Sequence, residues 1–237
     1  MPAARLEVDG LSAGYGPTQI VSDMSFDVAA GGRLAILGRN GVGKTTLLAT
    51  LMGLTTRHRG CILADGRDIS GLRTSERALQ GMGYVPQTRD IFRSLTVEEN
   101  LCTGLKARER GALAEMYEMF PRLAERRRHY GLQLSGGEQQ MLAMARTLLG
   151  KPSILLLDEP LEGLAPVICD QLMETISTLA TSGDMTIVLV EQQIERALNF
   201  ADRVMVVERG RSVWEGSSQR LKSDRSLVNQ LLGVGIH

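Results

Sequence analysis

One nine-residue stretch, GRNGVGKTT from Gly38 to Thr46, limits the folds open to this chain of 237 residues. It fits the pattern G-x-x-x-x-G-K-[S/T], in which glycines let backbone N–H groups approach phosphate oxygens. The apolar run LAIL precedes it, and the helix-forming run KTTLLATLMGL follows it. A strand, a glycine turn and a helix in this order predict a phosphate-binding site at the edge of an α/β sheet.

Two side chains of this loop have expected chemical roles. Lys44 is expected to bridge the β- and γ-phosphates of a nucleotide, and Thr45 to place its hydroxyl on Mg²⁺. The alternative is a chance glycine turn, which the strand before it and the helix after it disfavour. The other loop residues expected to surround the phosphates are Gly38, Arg39, Asn40, Gly41, Val42, Gly43 and Thr46.

A second stretch, ILLLDEP, predicts a buried strand that ends in two carboxylates. Ligands of open α/β sheets bind at the carboxyl ends of strands. Asp158 is therefore expected to hold Mg²⁺, and Glu159 to polarise a water molecule aimed at the γ-phosphate. The alternative is that the two carboxylates only cap the next helix, a hypothesis that the phosphate loop disfavours.

The order of apolar patterns predicts a largely parallel α/β core. Strands are predicted at RLEVDGL, MSFDV, GGRLAILG, MGYVPQ, SILLLDEP and MTIVLV, with a closing pair at RVMVV and RSVWEG. Between about Thr88 and Gly150 the sequence favours helices, which indicates a helical subdomain inserted into the strand-rich part. TVEENL opens one of these helices with a capping box from Thr96 to Glu99.

Composition excludes several classes of function. Lys plus Arg and Asp plus Glu number 27 each, so the formal net charge is zero. The composition therefore gives no electrostatic indication of nucleic-acid binding. The run Arg126 to Arg128 is interpreted as the solvated face of a helix. Three separate cysteines and three dispersed histidines indicate neither a disulfide framework nor a metal cluster. No signal peptide and no apolar run long enough for a bilayer is evident, so we expect another chain to provide any membrane attachment.

A third stretch, LSGGEQQM, places a serine and two glycines before a helix-forming run and is also typical of a phosphate-facing turn. Its alternative is a serine that only caps its own helix. With GRNGVGKT and ILLLDEP, this stretch makes the chain resemble the ATP-binding cassette family, and this resemblance covers nearly the whole chain. LSGGEQQ resembles the signature motif of that family. In that family two cassettes pair head to tail, so Ser135, Gly136, Gly137 and Glu138 would bind the ATP held by the partner's phosphate loop.

The same resemblance implies two further nucleotide contacts. YVPQ resembles the glutamine loop of the family, which makes Gln87 an expected contact of the nucleotide and a ligand of Mg²⁺. Tyr15, in AGYGPTQI, matches the aromatic residue that stacks on adenine.

Two positions depart from the pattern of the family. After TIVLV the family usually has a histidine that contacts the γ-phosphate, and here Gln192 takes that place. A glutamine can donate and accept hydrogen bonds but cannot become a cation. We expect Gln192 to act in hydrolysis with Glu159 and Lys44, the alternative being that it caps the following helix. Ala165 stands where an aspartate is usual, and Glu162 is a candidate substitute.

RNGVGKTTLL, IFRSLTVEENL, GLAP and LVEQ together resemble one branch of the family, the importer ATPases for branched-chain amino acids and for urea or short amides. This implies a P-loop NTPase core (about 1–87 and 151–237), with an N-terminal antiparallel β subdomain, and an inserted helical subdomain (about 88–150). The implied ligands are ATP and Mg²⁺. The implied partners are a second cassette, two transmembrane permease subunits and, indirectly, a periplasmic binding protein. The implied location is the cytoplasmic face of the inner membrane. A soluble cassette protein and a small-molecule kinase are less favoured alternatives.

Overall fold

The computed structural model describes residues 2–106 and 108–233. Its strands are β1 (Leu6–Tyr15), β2 (Thr18–Val28), β3 (Arg33–Leu37), β4 (Thr56–Ala64), β5 (Arg67–Asp68), β6 (Met82–Val85), β7 (Ile154–Asp158), β8 (Thr186–Val190), β9 (Arg203–Glu208) and β10 (Arg211–Ser217). Its α-helices are α1 (Lys44–Met52), α2 (Thr74–Leu79), α3 (Val97–Cys102), α4 (Leu113–Met119), α5 (Pro121–Glu125), α6 (Gly136–Leu149), α7 (Pro166–Thr181), α8 (Ile194–Phe200), α9 (Ser218–Ser223) and α10 (Arg225–Leu232).

The strands form two sheets. The first has the order β2-β1-β4-β5 and is antiparallel. The second has the order β10-β9-β3-β8-β7-β6, in which β9, β3, β8, β7 and β6 run parallel and β10 closes one edge antiparallel to β9. Because parallel strands end at the same edge, the segments that follow β3, β7 and β8 lie side by side.

Side chains of the central parallel strands alternate between two hydrophobic clusters. In β3, Ala35 and Leu37 face one cluster, whereas Leu34 and Ile36 face the other. The first cluster includes residues of α3 to α8, and the second includes α1 and the antiparallel sheet. A strand that is buried on both faces needs apolar residues throughout, which explains the uninterrupted runs ILLL and IVLV.

The predicted helical insertion is present. The described residues between β6 and β7 form helices and turns, apart from one isolated bridge between Thr96 and Tyr130. The capping box of α3 forms as predicted, since the Thr96 hydroxyl accepts a hydrogen bond from the backbone of Glu99 and the Glu99 carboxylate accepts one from the backbone of Thr96. Pro121 occupies the first position of α5, where its missing N–H costs nothing.

The interpretation of Arg126 to Arg128 as a helical face is wrong. Helix α5 ends at Glu125, and the three arginines lie in the turn that follows. Arg127 forms an ion pair with Glu98 of α3, and Arg126 forms one with Glu138 of α6. The run therefore links three helices.

Among the described residues, no helix combines the length and the apolar character needed to cross a bilayer.

Candidate nucleotide-binding site

The loop after β3 has a conformation that requires glycine. Gly38 has φ +154°, and a Cβ atom there would lie 2.4 Å from the carbonyl oxygen of Val207. Gly43, the N-cap of α1, has φ +105°. The first turn of α1 carries no acidic side chain, so its N–H groups and the positive end of the helix dipole are available to an anion.

The ammonium group of Lys44 is buried within this loop. Only 4% of the residue is exposed, and its Nζ atom donates hydrogen bonds to the carbonyl oxygens of Gly38 (2.8 Å) and Arg39 (3.0 Å). The same atom lies 3.4 Å from Oε1 of Glu159. A phosphate that binds Lys44 must therefore compete with this carboxylate for the ammonium charge.

Asp158 lies at the end of β7 and is fully buried. Its carboxylate accepts hydrogen bonds from the hydroxyls of Thr45 (3.1 Å) and Tyr84 (3.2 Å). Burial raises the pKa of Asp158 to about 6, although both hydroxyls favour the ionised form. Burial, with the charge of Asp158, also raises the pKa of Tyr84, which keeps that phenol a hydrogen-bond donor.

Sequence reasoning missed Tyr84. The available signal was its position on the strand beside β7, three residues before Gln87, but a tyrosine in an apolar strand is usually a packing residue. The contact with Asp158 depends on the pairing of β6 with β7, which the sequence did not specify.

The carboxylate of Glu159 receives hydrogen bonds from two glutamines. The side-chain amide of Gln192 donates to its Oε2 atom at 2.5 Å, and that of Gln87 donates at 3.4 Å. Gln87 also donates to Glu162. Glu159 has φ +46°, a left-handed conformation that is uncommon for glutamate and typical of strained functional positions.

Gln192 does not cap the following helix. The N-cap residue of α8 is Gln193, which makes no side-chain cap hydrogen bond. Its side chain contacts Glu159 instead, so the structure does not support the capping alternative, and the expected role of Gln192 in hydrolysis stays a prediction. Ala165 is the N-cap residue of α7, and Glu162 is exposed and contacts Gln87.

A cavity of about 370 Å³ adjoins the phosphate loop, within the size range of small-ligand sites. Tyr15, at the end of β1, is 55% exposed and lies at this cavity. Of the described residues, those that line it are Tyr15, Ile20, Asn40, Gly41, Gly43, Lys44, Thr45, Thr46, Gln87 and Glu159. Ile20, on β2, was not predicted. Val42 packs against the cluster that contains α1.

The predicted second phosphate-facing turn lies at the start of α6. Ser135 is its N-cap, and its hydroxyl accepts a hydrogen bond from the backbone of Glu138 at 3.3 Å. The carboxylate of Glu138 accepts one from the backbone of Ser135 at 2.8 Å and pairs with Arg126. Among the described residues that line the cavity beside Lys44, none comes from this turn. The structure therefore does not bring the two turns together within one chain.

The comparison with family models identifies the chain. The model of the ABC transporter family matches residues 21–162, which include the phosphate loop, the turn before α6 and the acidic pair at the end of β7. The chain belongs to the ABC transporter family. This cassette is therefore an ATP-binding ATPase by family.

Curated relatives of the cassette align over nearly its whole length. BraG of Pseudomonas aeruginosa, a branched-chain amino acid transport ATP-binding protein, is 40% identical over 96% of this chain and 99% of its own. LivF of Archaeoglobus fulgidus, named as a probable protein of the same kind, is 35% identical over 94% and 97%. LptB of Haemophilus influenzae, from a lipopolysaccharide export system, is 33% identical over 96% and 97%.

Solved structures agree with the fold. A nucleotide-free ATP-binding cassette of an ABC transporter superimposes with a TM-score of 0.83 at 22% identity, covering 98% of this chain and 99% of that one. A bacterial Atm1-family ABC exporter with ATP bound also gives a TM-score of 0.83, at 29% identity, over 97% of this chain and 42% of that one.

Proposed function

We propose that the cassette is the ATP-hydrolysing subunit of an importer of branched-chain amino acids. The observation that carries the ATPase assignment is the meeting of Lys44, Thr45, Asp158, Glu159 and Gln192 at one edge of the central sheet. The alignments with BraG and LivF cover nearly the full length of both aligned sequences and support branched-chain amino acids as the transported substrate.

ATP would bind with its phosphates on the loop from Gly38 to Thr46 and its adenine against Tyr15. The loop supplies backbone N–H groups and the positive end of α1, and Lys44 supplies a cation. Tyr15 lines the same cavity and is half-exposed, so its ring is available to a base. Binding would separate Lys44 from Glu159 and release that carboxylate for chemistry.

The residues present fit a Mg²⁺ ion. The hydroxyl of Thr45 and the carboxylate of Asp158 converge to 3.1 Å, and both are the oxygen donors that Mg²⁺ prefers. These two would hold the ion, and the side-chain oxygen of Gln87 is a further proposed ligand. When bound, Mg²⁺ would neutralise charge on the β- and γ-phosphates.

Hydrolysis would use Glu159 as the general base. Its carboxylate would orient and deprotonate a water molecule aimed at the γ-phosphate. Gln192 would hold that carboxylate through its amide and reach the γ-phosphate or the water with the same group. Lys44 would stabilise the negative charge that develops on the phosphate oxygens.

A second cassette would complete the site. The turn at Ser135 presents a helix N-terminus to solvent, away from the cavity of its own chain. In a head-to-tail pair, Ser135, Gly136 and Gly137 would contact the γ-phosphate of the partner's ATP. The isolated chain would therefore bind ATP but hydrolyse it poorly, and the assembled pair would hydrolyse it efficiently.

Two permease subunits would anchor the pair at the cytoplasmic face of the inner membrane, with a periplasmic binding protein delivering the amino acid. We place the docking surface at Phe92, in the loop after Gln87. Phe92 is 49% exposed, whereas its neighbour Ile91 packs partly against the core. Phe92 therefore fits an interface, whereas Ile91 fits a core residue.

Uptake measurements test this proposal. A strain that lacks the gene should lose uptake of radiolabelled leucine, isoleucine and valine. The wild-type gene should restore it, and a Glu159→Gln gene expressed to the same level should not. Glutamine and urea uptake are the controls. Loss of urea uptake with normal leucine uptake would transfer the cassette to an amide importer, and an envelope defect without any uptake defect would transfer it to lipopolysaccharide export, the role named for LptB.

A further inference from the structure

Glu191 carries a buried carboxylate to which the proposed hydrolysis assigns no role. It follows β8 directly, and only 2% of the residue is exposed. Its backbone N–H donates to the carbonyl of Ile36 in β3, the strand that leads into the phosphate loop. Its side chain thus lies inside the protein, beside the edge where the nucleotide would bind.

The carboxylate of Glu191 accepts three backbone hydrogen bonds. Its Oε1 atom accepts from the N–H of Leu161 at 3.1 Å. Its Oε2 atom accepts from the N–H groups of Gln192 at 3.0 Å and Gln193 at 3.2 Å. One oxygen therefore holds the turn after β7, and the other holds the loop before α8.

These two segments carry the side chains proposed for hydrolysis. Glu159 lies two residues before Leu161, and Gln192 is itself one of the residues held. A third link joins the segments, since the N–H of Glu159 donates to the carbonyl of Val190 at 2.9 Å. The contact between Gln192 and Glu159 is thus made by two loops that a single buried carboxylate connects.

We propose that Glu191 is a positioning residue that holds Gln192 against Glu159 by fixing both loops. The inference rests on the proposed role of this pair in ATP hydrolysis. Glu191 does not touch the nucleotide in this account. It sets the distance and orientation between the base and the amide that supports it, and a small misplacement of such groups has a large effect on rate.

A simpler role, capping of α8 alone, explains only part of the geometry. It accounts for the bonds to Gln192 and Gln193, because the N-cap of α8 makes no side-chain bond of its own. It does not account for the bond to Leu161, which is 30 residues away. Burial raises the pKa of Glu191, and the Glu159 carboxylate adds to the effect, while the three N–H donors oppose it. A neutral cap would avoid the cost of burying this carboxylate.

The first test is kinetic. Glu191→Gln keeps the size of the side chain but replaces one acceptor oxygen with an amide nitrogen, which donates and cannot accept. With the full chain, alone and assembled with its membrane subunits, we expect kcat for ATP to fall about tenfold or more and ATP affinity to stay within about twofold. Glu195→Gln makes the same change at an exposed position in the first turn of α8 and should keep wild-type kcat.

A double variant separates positioning from capping. If Glu191 acts through Gln192, then Glu191→Gln combined with Gln192→Ala should be no slower than Gln192→Ala alone, within about twofold. Losses that multiply, or a lowered melting temperature with unchanged kcat, would overturn the proposal and leave Glu191 as a cap.

Amide hydrogen exchange gives a readout that needs no hydrolysis. In Glu191→Ala, which removes both acceptor oxygens, exchange at Leu161 should accelerate together with exchange at Gln192 and Gln193, and Glu195→Ala should leave Leu161 unchanged. Unchanged protection of Leu161 in Glu191→Ala would overturn the proposal. If the wild-type chain failed to hydrolyse ATP in every preparation, the proposed function would fail, and this exchange would still decide whether Glu191 connects the two loops.

Discussion

The side-chain amide of Gln192 donates a hydrogen bond to the carboxylate of Glu159 across 33 residues of sequence. On its other side, the same carboxylate lies 3.4 Å from the ammonium of Lys44. Glu159 therefore stands between the cation expected to hold phosphate and the amide that replaces the usual histidine.

Glu159→Gln should separate ATP binding from ATP hydrolysis. A glutamine has the same size and can still accept from Gln192, but it cannot take up a proton, so turnover should fall roughly 10²-fold or more. ATP affinity should stay the same or rise, because phosphate no longer competes with a carboxylate for Lys44. Fluorescent-nucleotide binding and phosphate release measure the two effects. Glu195→Gln, at an exposed carboxylate in the first turn of α8, is the control, and normal turnover in Glu159→Gln would refute the assignment of the base.

Gln192→Ala should slow hydrolysis by roughly tenfold to a hundredfold. A hydrogen bond to a charged group is worth about 1.5–3 kcal/mol, and each 1.4 kcal/mol is about tenfold in rate. ATP binding should weaken less, since Lys44 keeps its loop contacts. Gln192→His should restore much of the rate, because an imidazole N–H can replace the amide donor. Gln193→Ala is the matched control on the adjacent residue, and full hydrolysis by Gln192→Ala would show that the contact is incidental.

Ser135→Asp and Ser135→Asn form a matched pair for the proposed site across the dimer. Aspartate and asparagine are both good N-caps, so α6 should remain intact in both variants. Aspartate would place a negative charge against the γ-phosphate of the partner's ATP, and asparagine would not. Hydrolysis by the assembled pair should therefore be lost in Ser135→Asp and largely kept in Ser135→Asn. ATP binding by the isolated chain, measured by titration, should be normal in both, and its loss in Ser135→Asp would contradict a site shared between chains.

Glycine substitutions in the same turn are less suitable. A Cβ atom at Gly137 would lie 2.9 Å from the side chain of Ile168, and one at Gly136 would lie 3.1 Å from the guanidinium of Arg89. A larger residue at either position would shift neighbours within the same chain, so lost activity could not be assigned to the partner's nucleotide.

Phe92→Glu should uncouple hydrolysis from transport. Phe92 is half-exposed, and the guanidinium of Arg146 lies 5.1 Å from its ring centre. A glutamate there could pair with Arg146, so folding should be preserved while an apolar contact with a permease is lost. Amino acid uptake should fall, and the melting temperature and ATP affinity should not change. Ile91→Glu should instead lower the melting temperature, since Ile91 packs against the core. Normal uptake with Phe92→Glu would exclude this docking surface.

Arg77→Met should destabilise the fold. Only 3% of Arg77 is exposed, and its guanidinium donates to the carbonyls of Leu72, Ser70 and, at the end of α1, Thr50 and Leu51. Methionine would leave these carbonyls without that donor, at a cost of about 3 kcal/mol or more in the free energy of unfolding. Urea unfolding measures this cost. Arg73→Met, which removes only an exposed ion pair with Glu76, should leave the free energy of unfolding nearly unchanged.

The sequence predicted those parts of the fold that depend on local pattern. The phosphate loop, the buried strands β3, β7 and β8 and the capping box at Thr96 all follow from residues close together in the chain. Strand β2 is longer than the predicted MSFDV because it begins at Thr18, where it pairs with β1 next to Tyr15. A hairpin can extend a strand beyond its apolar core residues, since backbone pairing does not require them.

The rest of the candidate site depends on contacts between distant residues. The bond from Tyr84 to Asp158 spans 74 residues, and that from Leu161 to Glu191 spans 30. Neither has a local pattern that distinguishes it from ordinary packing or solvated charge. The arginine run at 126–128 shows the same limit, because the partners of Arg127 and Arg126 lie on α3 and α6, outside any window that a helical pattern considers.

The distance between the two phosphate-facing turns has a consequence for inheritance. Under the proposed head-to-tail pairing, each catalytic centre is built from the Lys44 loop of one polypeptide and the Ser135 turn of the other. In a mixed homodimer, a chain with a defective Lys44 and a chain with a defective Ser135 would therefore place both lesions in the same centre. The other centre would be wild type throughout, so two alleles that are each inactive alone could complement one another in one cell.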